Sequence, residues 1–248
     1  MNLADAEAGA VLVDKPAGPT SFAVVQRLRR LLEIKKIGHA GTLDPFASGL
    51  LILCIGRPAT KHIDQFMAGR KTYEAVIQLG QETTTLDPEG QVTAVRPVPK
   101  LTEAELAALL GNFVGPQLQA PPAYSAAKHQ GRPLYDYARQ GIIIEKEAKQ
   151  IEIYSLELRQ YAEETARLAC TVSCSRGTYI RVLAADIGSK IGCGAYLTAL
   201  RRTRSGGFVV EEAVDGSLLF ADDREAARAA LHQKMLTVEQ ALSSSASA

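Results

Sequence analysis

Six consecutive apolar residues, Leu50-Leu51-Ile52-Leu53-Cys54-Ile55, follow directly on a glycine-rich loop. A short run with no polar member reads as a strand buried on both faces. The fold has to cover that strand from two sides, and 248 residues suffice to do so. The preceding stretch, Gly38-His39-Ala40-Gly41-Thr42-Leu43-Asp44-Pro45-Phe46-Ala47-Ser48-Gly49, brackets one carboxylate between glycines. A loop anchored to a rigid strand is a good platform for a reacting side chain. Asp44 has no second acid inside the loop, and His39 is its only close imidazole. A local carboxylate dyad is excluded. Asp44 is then either a turn former in Asp-Pro or a group that acts alone, as a nucleophile would.

The other elements mix strands and helices without strict alternation. Ala10–Val13 reads as a strand closed by Asp14-Lys15-Pro16. Thr20 or Ser21 caps a helix with Val24, Val25, Leu28 and Leu31 on one face and Arg27, Arg29 and Arg30 on the other. In Lys71–Leu79 the residues Tyr73, Ala75, Ile77 and Leu79 fall on one side of a strand. Asp87-Pro88-Glu89-Gly90 is a turn, and Thr102-Glu103-Ala104-Glu105 is a capping box. Ile151–Leu158 and Leu168–Ser173 look like paired strands. Helices are expected over Thr178–Lys190 and Ala226–Met235, and a disordered tail over Ser243–Ala248. The fold class is α+β, a mixed, largely antiparallel sheet with flanking helices.

Composition narrows the function. At 46% hydrophobic and 22% charged residues the chain is ordinary for a soluble globular protein. No apolar run approaches a membrane span, and the acidic Met1–Gly9 stretch is not a secretory signal. These features point to the cytoplasm and away from a membrane partner. Cys170 and Cys174 lie four apart inside a strand-like run, without the paired spacing of a zinc site. All four cysteines read as reduced thiols, and no metal is expected. The chain has no dinucleotide fingerprint and no phosphate-binding loop. The net charge is only +1, but residues 170–206 carry six Lys/Arg against one Asp/Glu. Residues 1–75 and 120–149 are also basic, with acidic segments between them. If the basic segments share a face, they form a footprint for phosphates.

The Gly38–Gly49 motif is similar to the signature loop of the TruB family of tRNA pseudouridine synthases. Further segments match in order: Leu12–Ser21, Gly69–Ala75, Pro122–Arg139, Ser175–Arg181 and Leu200–Arg202. The resemblance therefore runs from Val11 to about Arg204. It implies the pseudouridine synthase fold and a reaction that breaks the bond from uracil N1 to the sugar and remakes it at C5. That reaction is redox-neutral and needs no cofactor. The implied substrate is uridine 55 in the T-loop of tRNA, with the T-arm stem-loop as partner of a monomeric enzyme.

The same resemblance distributes roles. It makes Asp44 the catalytic nucleophile, Arg181 the arginine that pairs with it, and Tyr73 the active-site tyrosine. His39 takes the space of an extruded base, and Leu200 packs in the uridine pocket. Lys15, Gly41, Thr42, Tyr179 and Arg202 are implied as substrate contacts. Lys128 and Arg139 fall in an insertion, about residues 120–150, that closes on the RNA arm. Whether Asp44 attacks C6 or C1′, or promotes a glycal route, stays open. Residues 1–206 are expected as the catalytic domain and 207–242 as a short C-terminal extension packing on it. That extension is too short for the PUA-type RNA-binding domain that family members often carry. Rival readings are an RNA-binding or RNA-folding module without catalysis, and a synthase acting on ribosomal or guide-directed RNA. The joint presence of Asp44, Tyr73 and Arg181 disfavours the first.

Overall fold

The structure, a computed structural model, describes residues 8–246. Residues 1–7 of the acidic N-terminal stretch and the last two residues of the expected tail lie outside the described residues. Up to residue 95 the elements are β1 (Gly9–Lys15), α1 (Ser21–Leu32), β2 (Ile37–Ala40), β3 (Ser48–Ile55), α2 (Gly56–Thr60), α3 (Ile63–Phe66), β4 (Lys71–Leu79), β5 (Gln81–Thr83) and β6 (Val92–Val95). There follow α4 (Glu103–Gly111), β7 (Gly115–Gln119), β8 (Lys128–His129), β9 (Arg132–Pro133), α5 (Leu134–Ala138), β10 (Lys149–Ala162) and β11 (Arg167–Cys174). The last are α6 (Ile180–Ile191), β12 (Ala195–Ser205), β13 (Phe208–Val209), β14 (Val214–Asp215), α7 (Arg224–Gln233), β15 (Leu236–Thr237) and α8 (Val238–Ala246).

The described residues form two compact units, one of residues 8–73 with 200–246, the other of Glu74–Ala199. In the first unit β3 pairs antiparallel with β1 from Gly9↔Ile55 to Lys15↔Gly49, and with β2 from Ile37↔Ile55 to Ala40↔Ile52. Strands β12 and β14 add parallel pairings to β3 and β1. Residues alternate across the pleat. Val11, Val13, Leu51, Leu53 and Ile55 pack with Val24, Val25, Leu28 and Leu31 of α1 and with Leu219 and Leu231. Ala10, Leu12, Leu50, Ile52 and Cys54 pack with Phe66, Phe208, Val210 and Ala241. This two-sided cover explains the unbroken apolar run of β3. A strand buried on one face only would alternate with polar residues. The cap of α1 is Thr20, whose Oγ1 accepts from the Ala23 amide at 3.0 Å, leaving Ser21 free for another role.

In the second unit β4, β11, β10 and β7 are neighbours in that order. Strand β10 pairs antiparallel with β11, with two register shifts, and with β7. The expected capping box is present at α4: Thr102 Oγ1 accepts from the Glu105 amide, and the Glu105 carboxylate accepts from the Thr102 amide. Helix α4 lies on β10 and buries Leu106 and Leu110. Helix α6 approaches the start of β12 so closely that a Cβ at Gly188 would lie 2.3 Å from the Ala195 nitrogen.

Three differences from the sequence reading stand out. Helix α6 begins at Ile180 rather than Thr178, because residues 175–178 form a turn in which Thr178 Oγ1 donates to the Ser175 carbonyl. Helix α7 runs two residues earlier than expected at both ends, since Asp223 caps it through the Ala226 amide. The segment expected to be a disordered tail is helical through Ala246. Thr237 and Gln240 form a reciprocal cap at the start of α8, and Ala241 is fully buried in the core.

Candidate active site

Asp44 is half-buried on the loop between β2 and β3. Buried groups hold that loop at several points. Ser21, freed from capping, donates its hydroxyl to the Leu43 carbonyl and accepts from the Leu43 amide, both at 2.9 Å. The Gly18 amide donates to the Pro45 carbonyl at 2.8 Å, and Ala47 closes back on the Asp44 carbonyl. Lys15 is 0% exposed, and its ammonium donates to the carbonyls of Pro16, Pro19 and Pro45. Arg202 is 2% exposed and donates to the carbonyls of Leu50, Gly41 and Thr42. Lys15 and Arg202, expected among the substrate contacts, thus direct their cations at loop backbone. The motif lysine and the LRR arginine are too deep to meet an RNA phosphate in this conformation. Gly41 is half-buried at φ +90°, and Thr42 is exposed.

His39 precedes the loop on β2. Burial pulls its imidazole below the ordinary histidine pKa, and the nearby Arg202 cation adds to the effect. Its Nδ1 is buried and has no hydrogen-bond partner among the described residues. Burial thus favours the neutral ring. Tyr73 and Leu200 are both 8% exposed, one on β4 and the other on β12. One position on, Arg201 makes a two-pronged ion pair with Asp14, at 2.8 and 2.7 Å. The sequence offers Ser21 only as an alternative helix cap and does not single out the Asp14–Arg201 pair. Their signal is faint, a serine doubled beside a cap residue and an acid next to the motif lysine.

In the second unit Arg181 sits in the first turn of α6 and is 3% exposed. Its guanidinium donates to the carbonyls of Thr85 and Tyr124, each at 2.8 Å, and pairs with Asp87 at 3.2 Å. Asp87 is itself 3% exposed and accepts from the Thr85 hydroxyl and, at 3.0 Å, from the Glu89 amide. Asp87 is the turn residue that its Asp-Pro-Glu-Gly segment implies, and it is also a buried counter-ion of Arg181. Tyr179 is clamped by Gln119, which accepts from its amide at 2.7 Å and donates to its carbonyl at 3.1 Å.

Lys128 and Arg139 are exposed in the segment expected to form an insertion. There Arg139 lies 5.2 Å from the Tyr135 ring centroid and Arg132 lies 4.9 Å from that of Tyr137. Guanidinium over a ring presents charge and a flat face together, which suits phosphate contact and base stacking.

The loop therefore carries one half-buried carboxylate, with an imidazole whose pKa burial lowers five residues before it. All four cysteines are buried and stand outside any disulfide. Burial pushes Cys54 and Cys170 up to about 12, so neither supplies a thiolate at neutral pH. Among the described residues no group of three or more His, Cys, Asp or Glu is placed to hold a metal ion. No helix among them is long and apolar enough to cross a membrane.

Comparison with known proteins places this geometry. Residues 29–180 match the TruB family pseudouridylate synthase N-terminal domain, and residues 181–243 match the tRNA pseudouridylate synthase B C-terminal domain. The chain is 50% identical over 238 residues to the tRNA pseudouridine synthase B of Desulfotalea psychrophila, covering 95% of this chain and 96% of that protein. It is 51% identical over 205 residues to the same-named protein of Thiobacillus denitrificans, covering 83% of this chain and 67% of that one. Among solved structures, a chain of a Cbf5-Nop10-Gar1 complex superposes with a TM-score of 0.70 at 27% identity, over 94% of this chain and 61% of that chain. The match of the two family domains, end to end from Arg29 to Ser243, together with half-identity to a relative along nearly its whole length, establishes that the chain belongs to the TruB family of pseudouridylate synthases.

Proposed function

We propose that this chain is a tRNA pseudouridine synthase that isomerises uridine 55 of the T-loop, with Asp44 as nucleophile. The observation that carries the reading is the Asp44 loop, a single carboxylate on a backbone fixed by Ser21, Lys15 and Arg202. Catalysis needs a reacting group held in place before substrate arrives. The curated relatives named tRNA pseudouridine synthase B support the substrate class. Isomerisation leaves the oxidation state of the base unchanged, so acid-base and nucleophilic groups suffice. Asp44 attacks the uridine, and Tyr73 offers a phenol for stacking and proton transfer. His39, whose burial favours the neutral ring, fills the space of the extruded base. Arg181 takes the family role of serving the reacting carboxylate with its positive charge. The insertion carrying Lys128 and Arg139 contacts the T-arm.

The test is pseudouridine formation on unmodified tRNA, mapped by chemical adduct and primer extension. Wild-type protein is expected to modify position 55. Asp44→Asn is expected to bind tRNA and fold as wild type does, but to lose turnover. Turnover by Asp44→Asn within tenfold of wild type would remove Asp44 from the chemistry.

A further inference from the structure

We propose that Arg202 is a positioning residue for Asp44: it ties together both ends of the loop that carries the carboxylate and acts on the reaction through that loop, without touching RNA. The inference rests on the reading of Asp44 as the reacting group.

The contacts of Arg202 fall at two separated places in the sequence. Its Nε donates to the Leu50 carbonyl at 2.8 Å, where the loop has become strand β3. Its Nη2 donates to the Gly41 carbonyl at 3.1 Å and its Nη1 to the Thr42 carbonyl at 3.5 Å, where the loop leaves β2. The backbone of Arg202 also pairs in parallel register with Gly49. Gly49 stands at φ +100°, and a Cβ there would lie 2.3 Å from the Arg202 carbonyl oxygen. The strand and the side chain of one residue thus close the base of a loop that has Asp44 near its middle.

Only a guanidinium does this. Its donors are set in a rigid planar fork and can serve carbonyls on both sides at once, whereas a lysine is a single point on a flexible stem. The loss matters because carbonyls buried without donors are costly and will move to find them. Such movement displaces Asp44, and a reacting group has to stay within about half an ångström of its productive position. Ser21, Lys15 and the Gly18 amide hold the middle of the loop independently, which lets the base loosen while the fold persists. With 2% of its surface exposed, Arg202 is not placed to neutralise a phosphate.

The two roles open to Arg202 give opposite signatures. A phosphate-binding arginine sets affinity, and its loss lowers the salt dependence of binding by about one charge. A positioning arginine sets kcat. The experiment compares wild type and Arg202→Lys for single-turnover rate, tRNA Kd and the slope of log Kd against log salt. Wild type is assayed first, since a wild type unable to isomerise tRNA refutes the proposed function and not this inference. The expected result is a fall in single-turnover rate of roughly a hundredfold, with Kd and salt slope unchanged. A weakened Kd with a shallower slope, or an unchanged rate, overturns the proposal. Gly41→Ala decides independently, and decides alone if Arg202→Lys does not fold. It removes no charge, but it strains the loop at φ +90° on the carbonyl that Arg202 holds. The same rate-only loss is expected from it, and a change in binding alone, or no change, counts against the role.

Discussion

Lys15, Arg181 and Arg202 are cations that water barely reaches, and each is spent on backbone carbonyls. Burying a charge is costly unless it is paired or hydrogen-bonded, so such residues occur where a backbone has to be fixed. Arg181 adds an ion pair, and its partner Asp87 accepts two further hydrogen bonds. Removing one member of a buried pair costs about 3–5 kcal/mol. Asp87→Ala is expected near the lower end, because two carbonyls still hold the guanidinium. Urea unfolding measures the loss, and single-turnover assays should show the rate fall with it. A change under about 1 kcal/mol with an unaltered rate would make the pair idle.

His39 gives a pH prediction with a definite sign. Its folded pKa lies below the ordinary 6.5 because burial and then Arg202 disfavour the charged ring. The unfolded state therefore binds the proton more readily, and stability falls as pH drops below about 6.5. Above that pH the contribution is complete. His39→Gln is expected to flatten this part of the profile, read as the urea midpoint at pH 7.5 against pH 5.5. An equal drop in both proteins would assign the acid sensitivity elsewhere.

At the scale of elements, α1 shows two adjacent hydroxyls with separate work. Thr20 caps the helix through the Ala23 amide, and Ser21 reaches the Asp44 loop at Leu43. Thr20→Ala is expected to cost about 1 kcal/mol, seen as a fall in Tm of about 2–4 °C, with activity retained. Ser21→Ala leaves both Leu43 backbone groups unpaired in a buried place. It is expected to cost about 2 kcal/mol and to reduce activity as well. Equal effects of the two substitutions on rate would show that Ser21 merely stabilises the helix. Helix α8 shows where propensity misleads. Three consecutive serines suggest a tail, but Val238, Ala241 and Leu242 pack on the core, and packing outweighs weak propensity. Its signal was present as Thr237-Val238-Glu239-Gln240, the spacing of a capping box.

For the whole molecule, the proposed substrate contacts belong to a T-arm. A T-arm stem-loop is expected to be turned over with kcat/KM within about a hundredfold of full tRNA, or about 2.7 kcal/mol, at one salt concentration. A larger preference for full tRNA would place decisive contacts outside that arm. The chain spans 96% of the Desulfotalea relative and 67% of the Thiobacillus one, so relatives of different length offer a direct comparison in the same assay.

What the sequence by itself determined is local or periodic. The all-apolar run required β3 to be covered on both faces, the alternation in Lys71–Leu79 set that strand, and Thr102-x-x-Glu105 set the start of α4. The motif loop was legible because glycines, a lone acid and a proline fall within a few residues. What only the tertiary structure decided lies between residues far apart in the chain. A lysine and an arginine read as substrate contacts are loop supports, because the carbonyls of Pro45, Gly41 and Leu50 lie within reach of their donors. A turn aspartate became the counter-ion of an arginine ninety-four positions on, since both are excluded from water at one place. The chain likewise forms compact units that break at 73/74 and 199/200, so segments far apart in sequence share one unit. Hydrogen-bond partners and burial depend on which backbone groups folding brings together, and no pattern within a single segment encodes that.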